Sequence, residues 1–137
     1  MGSVPVTLIL DTNAWLWLVD SPARIPGPVL SVLSDSAHAP LGLSTISPWE
    51  VSKKVSLGKL ELPLPLGQWM KAATREDGIC LLPLLPGIAV DSAHLPGEFH
   101  RDPADQIIVA TARHHAATLV TSDQRILDYP HVQTLWS

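Results

Sequence analysis

Short, mostly apolar runs recur along this chain, at residues 7–10, 41–44, 79–82 and 118–121, and stretches with helix-spaced apolar residues lie between them. That alternation constrains the fold more than any other feature. A run of about four apolar residues between turn signals reads as a strand covered on both faces. Strands separated by helices build a parallel sheet, so the expected class is α/β, with a central parallel sheet and helices on both faces.

The intervening segments carry helix signals. Residues 13–19 place Trp15, Leu16, Leu18 and Val19 on one face, and residues 29–37 do the same with Val29, Leu30, Val32 and Leu33. From residue 47, Ser47 reads as an N-cap, Pro48 as the first helical residue and Glu50 as a capping-box acid, with the stop at Gly58. Residues 66–76 read as a helix closed by Asp77-Gly78, and residues 87–93 as a shorter one. Asp102-Pro103-Ala104-Asp105 repeats the sequence of cap, proline and acid, and opens a helix to about His115. Residues 123–127 form a short helical segment and residues 132–136 a last strand. No internal repeat or linker divides the 137 residues, so one domain is expected over 1–137.

Composition narrows the class further. With 46% hydrophobic and 16% charged residues, the chain can fill a core and is not a disordered segment. The single cysteine, Cys80, lies in an apolar run and reads as a buried thiol; it allows no disulfide framework or zinc ribbon and fits a reducing, cytoplasmic setting. Met1-Gly2-Ser3 reads as an expression remnant, and the first six residues lack the basic and apolar regions of a secretion signal. The most apolar stretch, residues 79–90, is broken by Pro83, Pro86 and Gly87, so no membrane span is expected. A net charge of −4 argues against a broad basic surface for nucleic acid. It leaves room for local contacts, because acids gathered around cations contribute negative formal charge.

Four carboxylates occupy comparable places. Asp11 ends the first strand, Glu50 starts the helix after the second, Asp105 lies in the first turn of the long helix, and Asp123 follows the fourth strand. In a wound parallel sheet, strand carboxyl ends and the following helix starts share one edge, where ligands bind. Such a cluster needs a counter-charge. Mg2+ or Mn2+ fits an all-oxygen donor set and activates water beside a phosphate. Each position also has a structural reading: Glu50 and Asp105 as capping-box acids, Asp123 as a cap or turn residue, and Asp102 as an N-cap. Asp11, directly after four apolar strand residues and followed by Thr12-Asn13, is the hardest to read that way. His94, His100 and His131 read as loop residues, and His114-His115 as a helix-end pair. Trp15, Trp17 and Trp49 read as packing residues, and Lys53-Lys54 as a solvated face, with contact to phosphate as the alternative. Arg101, beside the acids, is the cation placed to meet a phosphate.

These motifs, taken in order, resemble a known family. Leu8-Ile9-Leu10-Asp11-Thr12-Asn13 looks like the opening motif of PIN-domain proteins. Ser44-Thr45-Ile46-Ser47-Pro48-Trp49-Glu50-Val51, followed by Gly58-Lys59-Leu60, is similar to the second motif of a VapC-like branch. His100-Arg101-Asp102-Pro103-Ala104-Asp105-Gln106 resembles the third motif and Val120-Thr121-Ser122-Asp123 the fourth, so the likeness covers nearly the whole chain. Asn13 stands where many relatives carry His, and Gln106 where many carry Arg.

The resemblance implies a three-layer α/β/α fold and an acidic metal site of Asp11, Glu50, Asp105 and Asp123, with Asp11 and Asp105 as the leading ligands. It implies a Mg2+- or Mn2+-dependent endoribonuclease that leaves a 3′-hydroxyl and a 5′-phosphate and acts as the toxin of a toxin–antitoxin pair. Its partners would be RNA, a VapB-like antitoxin and a second copy of itself, the last through apolar residues of the helices at 29–37 or 66–73. Thr12, Asn13 and Arg101 are the expected substrate contacts. Two alternatives stand beside this: a haloacid-dehalogenase-like phosphatase with Asp11 as nucleophile, which Asn13 disfavours, and a catalytically silent PIN scaffold, which the full set of acids disfavours.

Overall fold

A computed structural model describes residues 5–137; the reading of Met1-Gly2-Ser3 falls outside that range. The apolar runs form the strands β1 (Leu8–Leu10), β2 (Leu41–Ser44), β3 (Ile79–Leu82) and β4 (Thr118–Val120), and a short β5 (Thr134–Leu135) completes the sheet. The strand order is β3-β2-β1-β4-β5 and every pairing is parallel, with Ile9 opposite Gly42 on one side and Leu119 on the other. The connections carry α1 (Thr12–Asp20), α2 (Gly27–Ser34), α3 (Ile46–Ser56), α4 (Leu66–Ala73), α5 (Pro86–Ala93), α6 (Pro103–His114) and α7 (Gln124–Leu127).

Strand periodicity sorts the core into two layers. Successive side chains of a strand point to opposite faces. Leu8 and Leu10 therefore join Trp15, Val29, Leu43, Val51 and Trp69 from α1, α2, β2, α3 and α4. Ile9 points the other way, onto Ile108, Val109 and Ala112 of α6, with Leu119, Ile126 and Tyr129. The result is the expected α/β/α sandwich. Full burial of each large aliphatic side chain contributes about 1.5–3 kcal/mol. Trp15 and Trp69 meet edge to face at 5.0 Å, and their indole N–H groups donate to Ala73 O at 2.9 Å and to Asp20 at 3.0 Å. Gly42 has its own steric reason. A Cβ there would lie 2.6 Å from Val6 Cγ1 and 2.9 Å from both Ile9 Cγ1 and Leu82 Cδ1.

Several local expectations need correction. The helix expected at 29–37 breaks at Asp35, whose backbone is extended and whose carboxylate instead caps a 3-10 turn, Ser36–His38, by accepting from Ala37 N. The helix expected at 66–76 stops at Ala73. Ser47 is not an N-cap. Helix α3 starts at Ile46, whose N–H donates to Ser44 Oγ at 3.2 Å, and it has no side-chain capping bond. Trp49 is 57% exposed rather than packed, and Cys80 is only half-buried. Val29 and Leu33 of α2, and Trp69 and Ala73 of α4, are buried in the core, while Leu30, Val32, Leu66 and Met70 of the same helices are only partly buried. Exposed large apolar side chains lie elsewhere, at Trp49, Leu57 and Leu64 and at Leu81, Leu84, Leu85 and Val90. No helix of the described residues is long and apolar enough to cross a membrane.

Candidate functional site

Because the strands are parallel, their carboxyl ends share one edge, and all four acids arrive there by different routes. Asp11 leaves β1 with its N–H still on the ladder, donating to Val120 O at 3.0 Å. It then caps α1: Oδ1 accepts from Ala14 N at 2.8 Å, while Oδ2 accepts from the Thr121 hydroxyl at 2.5 Å. Burial pushes its carboxyl up to about 6; the bonds from Thr121 and Ala14 work against this, and the charges of Asp105 and Asp123 add to it.

Glu50 comes from α3. Its Oε1 accepts from the Thr12 hydroxyl at 2.5 Å, and Thr12 also meets Ser47 Oγ at 2.9 Å. Thus the two residues expected to form a capping box are drawn into a polar contact with the start of α1. Burial raises the Glu50 carboxyl above its ordinary value, opposed by the Thr12 bond and the Lys54 charge. Asp105 sits in the first turn of α6, whose N-cap is Asp102, as the sequence implied. Its Oδ2 lies 2.7 Å from His100 Nε2. Burial raises this carboxyl too, against the His100 hydrogen bond.

Asp123 caps α7 and is gripped by Arg125, with Nε at 3.2 Å from Oδ1 and Nη2 at 2.9 Å from Oδ2. Those bonds hold its carboxyl below the ordinary range. Arg125 Nη2 also lies 3.6 Å from Asp105 Oδ2. Its guanidinium thus partly balances the acids.

Asp11, Glu50, Asp105 and Asp123 line one cleft of about 150 Å³, together with Asp102, Thr12, Asn13, Lys54 and Arg125. Donor atoms of His100, Asp105 and Asp123 lie within 4.8 Å of one another. The donor set suits a hard divalent cation. It is rich in carboxylate oxygen, burial and the charges of Asp105 and Asp123 push the Asp11 carboxyl up to about 6, a load that a cation would relieve, and the cleft has room for a small ion that keeps waters.

The expected substrate contacts divide. Asn13 is exposed at the cleft, whereas the Thr12 hydroxyl is committed to Glu50 and Ser47. Arg101 is exposed and is not among the lining residues; the cations that face the cleft are Lys54 and Arg125. Sequence reasoning missed three residues. Thr121 ties the β4 end to Asp11 and accepts from Asp123 N at 3.0 Å, and its place two residues before an acid is a Ser/Thr-turn signal. Arg125 has a weaker signal, two residues after its partner. His100, read as a loop residue, is mostly buried against Asp105, and its spacing gave no warning.

Fold and cleft together define a class, the three-layer α/β/α proteins with an acidic centre at the carboxyl edge of a parallel sheet. Within that class the chain belongs to the PIN domain family, whose model matches residues 8–132. It is 30% identical over 135 residues to Ribonuclease VapC22 of Mycobacterium tuberculosis, a match covering 95% of this chain and 98% of that protein. Its fold is that of chains in two solved assemblies. One is VapBC2 from Rickettsia felis bound to a DNA fragment from their promoter, with a TM-score of 0.71 at 15% identity, covering 96% of this chain and 100% of that one. The other is DNA-bound VapBC from Salmonella typhimurium, with a TM-score of 0.69 at 14% identity, covering 95% and 97%. Family membership removes the haloacid-dehalogenase-like alternative.

Proposed function

We propose that this chain is a metal-dependent endoribonuclease that hydrolyses phosphodiester bonds in RNA, acting over 1–137 as one PIN unit and as the toxin of a toxin–antitoxin pair. The observation that carries this reading is the convergence of Asp11, Glu50, Asp105 and Asp123 on one small cleft. The relative named as a ribonuclease supports the chemistry, and the likeness to VapBC chains supports a VapB-like antitoxin as partner. A second copy of the chain is the further partner, checked by analytical ultracentrifugation.

Asp11 and Asp105 would be the principal ligands of a Mg2+ or Mn2+ ion, with Asp123 and Glu50 beside them. When bound, that ion supplies charge neutralisation at the phosphate and lowers the pKa of a water. The chain's own residues do the rest. Both oxygens of Asp11 are fixed by hydrogen bonds, one from a helix start and one from a strand end, so this carboxylate meets a ligand without reorganising. Glu50 has Oε1 held by Thr12 and a raised affinity for protons, which suits it to take the proton of the attacking water. Asn13, Lys54 and Arg125 face the cleft and would meet the phosphate and its neighbours. Attack in line breaks the bond between phosphorus and the 3′-oxygen, which takes up a proton from solvent, and so leaves a 3′-hydroxyl and a 5′-phosphate.

The test is cleavage of RNA in Mg2+ or Mn2+ by the wild type and by Asp11→Asn. The substitution should cost about 100-fold or more. Equal cleavage by the two proteins refutes the reading.

A further inference from the structure

His100 was not among the expected site residues, yet its surroundings are built. It lies five residues before Asp105, with Nε2 2.7 Å from Oδ2, and the two side chains are only 17% and 16% exposed. The imidazole stacks on Phe99 at 4.2 Å between centroids, Phe99 meets the edge of Tyr129 at 4.9 Å, and the Tyr129 hydroxyl donates to Pro96 O. The His100 carbonyl accepts from Gln106 Nε2 at 3.1 Å. An aromatic stack and a backbone clamp therefore fix the ring.

The other ring nitrogen decides what the ring does. Nδ1 is buried and has no hydrogen-bond partner among the described residues. A histidine that ligates a metal through one nitrogen carries its proton on the other, and that N–H nearly always has an acceptor. Here such an N–H would be buried without one, at a cost of about 1–3 kcal/mol. The contact with Asp105 sets the tautomer: an ionised carboxylate only accepts, so Nε2 carries the proton and donates to Oδ2, and Nδ1 is left as a buried acceptor. Asp105 Oδ1 makes no hydrogen bond among the described residues.

We infer that His100 is a positioning residue whose Nε2–H holds Oδ2 of Asp105 and leaves Oδ1 for the cation. The inference rests on the metal-centre reading above and assigns His100 a place outside the ligand set. Holding a ligating carboxylate by an outer hydrogen bond is worth about 10- to 100-fold in metal affinity.

The experiment titrates the full chain with MnCl2 by calorimetry in four forms: wild type, His100→Gln, His100→Asn and His100→Ala. The glutamine amide nitrogen reaches close to the position of imidazole Nε2, whereas the asparagine amide is too short. The expected pattern is His100→Gln within about 3-fold of wild type, with His100→Asn and His100→Ala weaker by about 10- to 100-fold. A purely structural role would not be rescued by one amide and not the other. Pulsed EPR of Mn2+ on the wild type needs no variant to fold, and it should show no coupling to a directly bound nitrogen. Such a coupling, wild-type affinity in His100→Ala, or failure of His100→Gln to recover affinity each overturns the inference. A wild type that binds no Mn2+ at all sinks the metal centre itself, and that result is distinct from any failure among the variants.

Discussion

Replacing Asp11 by Asn should stabilise the metal-free protein while destroying its ability to bind the cation. Asp11 is 6% exposed, and its carboxyl is pushed up from 3.8 to about 6, chiefly by burial. A carboxyl raised in the folded state contributes stability that is fully present below the unfolded value and is lost as pH rises through the folded value. The gap between the two values corresponds to about 3 kcal/mol lost between roughly pH 4 and pH 6. Asn removes that loss and caps a helix as well as Asp does, so the bond from Ala14 N survives. The Thr121 hydroxyl loses its carboxyl acceptor at both pH values, at about 1 kcal/mol. The net expectation in EDTA is a variant about 2 kcal/mol more stable than wild type at pH 8 and about 1 kcal/mol less stable at pH 4. Urea unfolding followed by fluorescence reads this directly, because Trp15 and Trp69 sit in the core. Glu50 and Asp105 have raised carboxyls in both proteins, so the difference between the two curves reports Asp11 together with its coupling to Asp105 and Asp123. A difference that does not change with pH, or a variant less stable than wild type at pH 8, refutes the reasoning. Adding Mg2+ at pH 8 should then stabilise the wild type and leave the variant unmoved.

Thr121→Val removes a hydroxyl that lowers the Asp11 carboxyl, so the midpoint of Mn2+ binding against pH should move upward; calorimetry across pH 5–8 checks it. Arg125→Ala removes a cation held on Asp123 and near Asp105, so Mn2+ should bind several-fold more tightly while RNA binds more weakly in a gel shift. Gly42→Ala forces a methyl against Val6, Ile9 and Leu82 and should cost about 1–3 kcal/mol in urea unfolding, with Mn2+ affinity unchanged.

The parts of this molecule that were legible in the sequence are those set by local pattern. The strands β1, β2 and β3 follow from four-residue apolar runs, and the common edge for Asp11, Glu50, Asp105 and Asp123 follows from the alternation of strand and helix. Where two local rules competed, the sequence misled. Ser47-Pro48-Trp49-Glu50 has the form of a capping box, yet Ser47 and Glu50 both turn to Thr12, whose position depends on the packing of α1 against α3. Trp49 follows its helix to the exposed side. Contacts between distant residues left no trace at all. Thr121 meets Asp11 across 110 positions, and only the pairing of β1 with β4 brings them together. Arg101 is adjacent to the acids in sequence, but Arg125, carried by α7, is the arginine that lines the cleft.

The central claim is that Asp11 and Asp105 hold one cation. A crystal soaked in MnCl2 and measured at the manganese absorption edge tests it most directly. The account predicts an anomalous peak in the cleft within about 2.0–2.6 Å of a carboxylate oxygen of each residue. A saturated crystal with no peak there, or with its manganese bound by other residues, would contradict it.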